Sequence, residues 1–234
     1  AAAAARGLGL SGTALMFSGG KDSVAALICL QADPAAAPDA LVATVSASDH
    51  CVALHGTPAA LLRRQADALG LPLTEIELPD GCDNQTYLAR VGDGLARLRD
   101  RGLERLAFGD LFLADVRAFR ERQAQALGLT PLFPLWGRDT DVLARELIGS
   151  GLEAVVCGID LEVLPESALG SAFDAAFLER LPDGCDPCGE NGEFHTLVVA
   201  APNMRGRIAV EAGGRRLSHD RFCMLDLRPA EPAC

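Results

Sequence analysis

The sequence predicts an α/β fold: a doubly wound parallel sheet with a smaller β-containing segment at the C-terminal end. Three observations support this prediction. Short apolar runs typical of buried strands alternate with helical patterns through the first two thirds of the chain. A glycine turn joins the first strand directly to the first helix, and beyond about residue 181 the helical pattern gives way to short β-type runs. Repeated strand–helix alternation is typical of a parallel sheet that helices cover on both faces.

Local features of the sequence predict each strand and helix of the parallel sheet. Apolar runs predict strands, helical spacing of apolar residues predicts helices, and glycines end several of them. Thr57-Pro58 is expected to start the second helix as its N-cap and first residue, and Asp139 or Thr140 is expected to cap a later one. The predicted strands span 13–17, 40–46, 73–78, 105–108 and 153–157, and the predicted helices span 21–31, 57–70, 84–101, 113–127 and 139–151.

The remaining segments are less regular. Two prolines within Pro131 to Trp136 argue against a central strand and favour a rigid connecting segment. A helix over 173–181 precedes short β-type runs at 194–201, 207–211 and 222–227. We therefore expect a larger domain over residues 7–135 and a smaller α+β domain over 136–234.

Composition narrows the class of protein. The chain has 234 residues, of which 49% are hydrophobic, so it can bury a full core and is not disordered. Its net charge of −11 argues against a nucleic-acid partner, because proteins that neutralise phosphates carry a basic face. No apolar segment long enough to cross a membrane and no secretory signal are recognisable, and we expect a cytoplasmic protein.

The most informative motif covers Ser18, Gly19, Gly20, Lys21, Asp22 and Ser23. It follows an apolar strand and opens a helix, an arrangement that directs several backbone N–H groups at one anion. Lys21 adds positive charge and the serines add hydroxyls. The spacing is not that of a Walker motif, which places four residues between its first glycine and the Gly-Lys pair. The motif predicts a phosphate-binding turn.

Two further groups of candidates follow predicted strands. His50 and His55 lie after the second strand, where each either touches a nucleotide or is an ordinary polar loop residue. Asp110 follows the fourth strand in the run Phe108 to Phe112, where it either holds Mg²⁺ or orients an acceptor amine, or else caps a helix. Both interpretations stay open for each group.

The densest cluster of reactive side chains spans residues 186–196. It contains Glu190, Asn191, Glu193, His195 and Thr196 within a turn-rich stretch. A polar segment between apolar elements must satisfy its own polar groups or meet a ligand. Cys185 and Cys188 precede it with the spacing of a zinc, iron–sulfur or redox pair, although a closed metal site needs about four ligands and a second pair is missing. Metal binding, a redox role and plain packing all remain open.

Taken together in order and spacing, these motifs resemble the diphthine–ammonia ligase family of PP-loop ATP pyrophosphatases, which are also described as adenine nucleotide alpha hydrolase-like proteins. The resemblance rests on SGGKDS, on FGD followed by an acid and Arg117, on PLFPLW and on CGENGEFHT. It implies the PP-loop, Rossmann-like fold. It also implies ATP and Mg²⁺ as cofactors, adenylation of a carboxylate with release of AMP and pyrophosphate, and amide formation with ammonia.

The resemblance also assigns roles to residues. Residues 18–23 would hold the pyrophosphate, with His50 and His55 beside the nucleotide and Asp22 and Asp110 as metal ligands. Lys21, Asp110, Glu190, Glu193 and His195 would be catalytic, and Asn191 and Thr196 would bind substrate. The acceptor would be a modified protein side chain or a small metabolite, and a homodimer stays open. The alternatives are a tRNA-thiolating enzyme of the same fold and a non-catalytic nucleotide sensor.

Overall fold

The computed structural model describes residues 12–52, 56–218 and 221–230. Within them, the first half forms strands and helices in alternation, and the second half adds antiparallel strands. In chain order the elements are β1 (Thr13–Met16), α1 (Lys21–Gln31), β2 (Ala40–Ser46), α2 (Ala59–Leu69), β3 (Leu73–Leu78), α3 (Asn84–Arg99), β4 (Arg105–Ala107), α4 (Ala114–Ala126), β5 (Thr130–Leu132), α5 (Thr140–Gly149), β6 (Glu153–Asp160), α6 (Ala175–Leu178), β7 (Phe194–Ala200), β8 (Val210–Ser218) and β9 (Phe222–Pro229).

The first sheet is five-stranded, has the order β3-β2-β1-β4-β5, and every pairing in it is parallel. Alternating side chains of one strand belong to different cores: Leu15 packs with α1 and α2, whereas Ala14 packs with α3 and α4. Successive residues of a strand point to opposite faces, so helices cover the sheet on both sides. The predicted doubly wound α/β fold is confirmed.

The second sheet is antiparallel, with the order β7-β6-β9-β8. Its inner residues, such as Val156, Ile159 and Val198, share one core cluster with Val24 and Leu27 of α1. The smaller β-containing C-terminal segment is therefore present and packs on the α1 side of the parallel sheet. This packing brings β7 against the start of α1.

Several local predictions need correction. Pro131 lies in a short edge strand, β5, where its missing N–H costs no ladder hydrogen bond; the segment is not merely a connection. Helix α2 begins after Pro58, so Thr57 lies one residue too early and its side chain does not cap the helix.

The helix expected over 173–181 is a four-residue turn of helix, and the strand expected over 207–211 is replaced by β8. In contrast, Asp139 does cap α5, accepting from the Val142 N–H at 3.0 Å.

The strand order fixes where a ligand can bind. From β1 the chain moves outward through β2 and β3, and then crosses to β4 and β5 on the other side. In open parallel sheets the crevice at such a switch point, beyond the carboxyl ends of the strands, is the usual ligand site. The turn formed by residues 18–23 follows β1 and lies at this position.

Candidate active site

A cavity of about 370 Å³ opens at the carboxyl ends of β1, β2 and β4. Three segments that are distant in sequence share its wall: the turn of residues 18–23, the loop after β4, and the 186–196 loop that leads into β7. Of the residues selected from the sequence, those that line it are Ser18, Gly20, Lys21, Asp22, Ser23, Asp110, Glu190, His195 and Thr196. The tertiary fold therefore brings most of the candidate residues to one cavity.

The phosphate loop, residues 18–23, has a defined backbone. Gly19 has a φ of +79°, a left-handed conformation that glycine adopts without strain. Ser23 Oγ donates to the Gly20 carbonyl at 2.9 Å, and the Lys21 N–H donates to Thr196 Oγ1 at 3.1 Å. Thr196, predicted to bind substrate, thus also holds the first N–H of α1 and ties the C-terminal segment to the phosphate loop.

Lys21 is almost completely buried, with 1% of its surface exposed. Its ammonium donates to Asp22 Oδ2 at 2.9 Å and to the carbonyl of Cys188, and it lies over the rings of Phe194 and Phe173. Burial acts to lower the pKa of Lys21, but the neighbouring acidic groups, Asp22 foremost, together outweigh it and the pKa stands above its usual value. The side chain is a charged link between the phosphate loop and the 186–196 loop.

Asp22 and Asp110 are the two predicted metal ligands. Burial raises the pKa of both carboxyls. Asp22 Oδ1 and Asp110 Oδ2 are buried and have no hydrogen-bond partner within the described residues. Asp110 is not a helix cap, because the N-cap of α4 is Leu113, three residues later. Buried carboxylate oxygens without a donor fit a cation, and Mg²⁺ is commonly held by one or two carboxylates together with substrate phosphates.

Gly109 explains how Asp110 reaches the phosphate loop. A Cβ at Gly109 would lie 3.1 Å from the Asp22 carbonyl oxygen and 3.3 Å from the Ser23 nitrogen. The chain after β4 thus approaches the start of α1 so closely that a side chain at residue 109 would force a small shift of the backbone.

Glu190 connects the 186–196 loop to the loop after β4. Its Oε1 accepts from the Leu111 N–H at 2.7 Å and from the Phe112 N–H at 3.4 Å. Burial, with smaller contributions from Asp22 and Asp110, raises the pKa of Glu190 to about 7. A carboxyl with this pKa can exchange a proton near neutral pH.

We predict a pH dependence of stability from Glu190. Its pKa is 4.5 when unperturbed and about 7 in the folded protein, so the folded state favours the protonated form. The free energy of unfolding should therefore fall as pH rises from about 4.5 to about 7. Glu190→Gln, which stays neutral, should remove this part of the decrease. Urea unfolding between pH 5 and 8 in the presence of a chelator measures it, and an unchanged pH slope in the variant would contradict the prediction.

Glu193 and Asn191 brace the loop from within. Glu193 Oε1 accepts from the Asp186 N–H at 3.0 Å and from Asn191 Nδ2 at 2.9 Å, and Asp186 Oδ2 accepts from the Glu190 N–H at 2.8 Å. Neither Glu193 nor Asn191 lines the cavity. Both side chains therefore hold the backbone of the loop, and the catalytic role of Glu193 and the substrate-binding role of Asn191 stay predictions.

The three predicted histidines lie in different surroundings. His195 lines the cavity, and burial, with Lys21 nearby, lowers its pKa to about 4, so its imidazole is neutral at physiological pH. His50 is exposed, has a φ of +49°, and does not line the cavity. His55 lies outside the described residues. The structure thus brings His195 to the cavity but not His50.

Sequence reasoning missed Tyr87 and Arg120, which line the cavity, and Gln65, which lies behind the phosphate loop. Tyr87 and Arg120 line the cavity from α3 and α4, and Arg120 Nη1 donates to the Tyr87 hydroxyl at 3.3 Å. Arg117, which the sequence singled out, instead pairs with Glu121 and lies over the rings of Phe133 and Trp136. Gln65, from α2, does not line the cavity but is completely buried behind the phosphate loop. The helical spacing of the sequence cannot distinguish Arg120 from Arg117, because both belong to the polar residues of the predicted helix.

Neither the pair Cys185 and Cys188 nor the basic patch formed by Arg205, Arg207, Arg215 and Arg216 lines the cavity. Cys185 and Cys188 are both free thiols, and no cluster of three or more potential metal ligands occurs within the described ranges. In the basic patch, Arg207, Arg215 and Arg216 each pair with a carboxylate: Glu153, Glu166 and Asp49, respectively. Of the described helices, none combines the length and apolarity that a membrane span requires.

The doubly wound sheet and the phosphate loop at its switch point define a Rossmann-like nucleotide-binding protein of the PP-loop type. Comparison with protein families makes the assignment specific. Residues 11–131 match the model of the diphthamide synthase N-terminal domain, and residues 139–230 match that of the diphthamide synthase C-terminal domain. The chain belongs to the diphthamide synthase family.

Curated relatives carry a consistent name. The chain is 29% identical to a diphthine–ammonia ligase of Danio rerio over 63% of its own length and 64% of the relative. It is 32% identical to the Homo sapiens protein of that name over 43% of the chain and 40% of the relative, and 30% identical to the Schizosaccharomyces pombe protein over 46% and 18%. The aligned part thus spans less than two thirds of each of these relatives.

Proposed function

We propose that the protein is an ATP-dependent ligase that adenylates a carboxylate, releases pyrophosphate and forms an amide with ammonia. The observation that carries this proposal is the single cavity shared by the phosphate loop and the 186–196 loop. A nucleotide held by the first and an acceptor held by the second would meet there. The names of the relatives support the same chemistry.

The phosphate loop supplies the nucleotide side. Attack at the α-phosphorus makes pyrophosphate the leaving group, so donors must face the charge that develops on it. The N-terminus of α1 and the hydroxyl of Ser18 fit this requirement, Ser23 would hold the loop through its hydrogen bond to the Gly20 carbonyl, and Asp22 and Asp110 would hold Mg²⁺. When bound, Mg²⁺ offsets the negative charge of the phosphate oxygens. His195 is a neutral imidazole, so it adds no positive charge that would compete with Mg²⁺ for the phosphate oxygens.

Glu190 supplies a base on the acceptor side. Ammonia attacks as the free amine, whereas ammonium is the main form at neutral pH, so a proton has to leave. A carboxyl with a pKa of about 7 that lines the cavity can accept it. Glu193 and Asn191 would act indirectly, by keeping the backbone around Glu190 in place.

The acceptor is a carboxylate, and the name of the relatives makes diphthine on a protein the first candidate. A small carboxylate metabolite is the other candidate. We further propose a cytoplasmic protein, divided near residue 135 into a nucleotide-binding and a substrate-side domain.

The test is to identify the products. The protein is incubated with ATP, Mg²⁺ and ammonium, with or without a diphthine-bearing protein or a panel of small carboxylates. AMP and pyrophosphate that form only with an acceptor, together with a new amide, support the proposal. Formation of ADP and phosphate would overturn it, and absence of any turnover with intact ATP binding would favour a nucleotide sensor.

A sulfur-carrier role for the cysteine pair has no support in the geometry. Burial raises the pKa of both the Cys185 and Cys188 thiols to about 12, so neither is a ready thiolate. The hydrogen bond that Cys188 accepts from Lys21 is made by its backbone carbonyl and not by its thiol. We predict that Cys188→Ala keeps pyrophosphate release at the wild-type order of magnitude and loses roughly 1 kcal/mol of stability from the core. A sulfur-transfer enzyme would lose all turnover in the same assay.

A further inference from the structure

The orientation of one peptide unit, Gly19–Gly20, determines whether the phosphate loop can bind an anion. All described peptide bonds are trans, so the Gly19 carbonyl and the Gly20 N–H point in opposite directions. In the structure the Gly20 N–H donates a hydrogen bond to Ser18 Oγ, with a distance of 3.4 Å between the nitrogen and the oxygen. A flipped peptide would turn the Gly19 oxygen toward the ligand and repel a phosphate.

Glycine makes such a flip easy. Gly19 has a φ of +79°, and glycine populates positive and negative φ about equally. The conformation of the loop must therefore be imposed by partners of the Gly19 carbonyl. Two donors hold it: Gln65 Nε2 at 2.9 Å and the Val198 N–H at 3.0 Å.

The buried side chain of Gln65 makes two hydrogen bonds through its amide nitrogen. Its side chain is completely buried, and the same Nε2 also donates to the Val198 carbonyl at 2.7 Å. Both partners are acceptors, which fixes the amide with its nitrogen toward them. One amide group from α2 thus bridges the phosphate loop and β7, in a setting where an unmade hydrogen bond is costly.

We propose that Gln65 is a positioning residue: through the Gly19 carbonyl it holds the Gly19–Gly20 peptide in the anion-binding orientation and links that orientation to β7. The proposal deepens the proposed function, on which it rests. It predicts that losing the amide weakens nucleotide binding more than it weakens the fold.

The variant Gln65→Met keeps the length and volume of the side chain but removes both hydrogen bonds. Leu69→Ala is the matched control, because Leu69 is also buried on α2, one turn further on, at 8% exposure, and makes no contact with the phosphate loop through a polar group. The dissociation constant of MgATP is measured by calorimetry for both variants, alongside their thermal unfolding.

We expect the dissociation constant of MgATP to rise at least about tenfold in Gln65→Met, which corresponds to about 1.4 kcal/mol. Leu69→Ala should leave it unchanged while lowering the unfolding temperature at least as much. An unchanged dissociation constant in Gln65→Met would overturn the proposal, and so would an equal rise in Leu69→Ala.

Hydrogen exchange gives a second measurement that does not need the nucleotide. In the ligand-free protein, the backbone amides of residues 19–24 should exchange faster in Gln65→Met than in wild type or Leu69→Ala. Equal protection in all three would overturn the proposal. If wild type bound no ATP, the proposed function would fail, whereas the exchange result would still decide the role of Gln65.

Discussion

Replacement of Lys21 by methionine should abolish most of the pyrophosphate release and destabilise the protein. Lys21→Met keeps the bulk of the side chain but leaves Asp22 Oδ2 and the Cys188 carbonyl without their shared donor. Breaking a buried ion pair on one side costs about 3–5 kcal/mol. Because the Asp22 side chain is 29% exposed, we expect about 3 kcal/mol. The link between the phosphate loop and the 186–196 loop is lost as well, and we expect the rate to fall about 100-fold or more.

The control is Arg63→Met, which breaks the surface ion pair with Glu75, where Arg63 is 58% exposed. Exposed pairs contribute about 0–1 kcal/mol, so this variant should unfold at nearly the wild-type urea concentration and release pyrophosphate at the wild-type rate. Urea unfolding and a pyrophosphate assay measure both variants. If Lys21→Met behaved like Arg63→Met, the buried link would have no energetic role.

Replacement of Gly19 by alanine should have the second large effect. Gly19 has a φ of +79°, and a Cβ there would overlap Gln65 Oε1, which belongs to a completely buried side chain. The left-handed conformation alone costs about 1 kcal/mol for alanine. The overlap forces Gln65 or the loop to move, and we expect MgATP affinity to fall at least about tenfold.

Gly128→Ala separates these two causes. Gly128 has a φ of +73°, but a Cβ there meets no atom within 4 Å. This variant should show the conformational cost in thermal unfolding with unchanged MgATP affinity. Calorimetric titration of both alanine variants makes the comparison, and a wild-type dissociation constant for Gly19→Ala would contradict the role given to the loop geometry.

The sequence by itself determined the class of fold and the nucleotide side of the site. A strand, a glycine turn and a helix are contiguous, so the residues from Ser18 to Ser23 reveal the phosphate loop through local chemistry alone. The alternation of apolar runs likewise predicted the parallel sheet, because period and length are local properties of the chain. The 186–196 loop was recognised from its composition, and its nearness to the phosphate loop was inferred only through a resemblance.

The tertiary structure alone decided which side chains meet. Glu190 acquires its raised pKa from burial, with smaller contributions from Asp22 and Asp110, which are distant in sequence. Arg120 lines the cavity and Arg117 does not, a distinction set by how α4 packs. Gln65 reaches the Gly19 carbonyl across the interface between α2 and β7. Such contacts depend on how elements pack in three dimensions, and neither the spacing of residues nor their type encodes them.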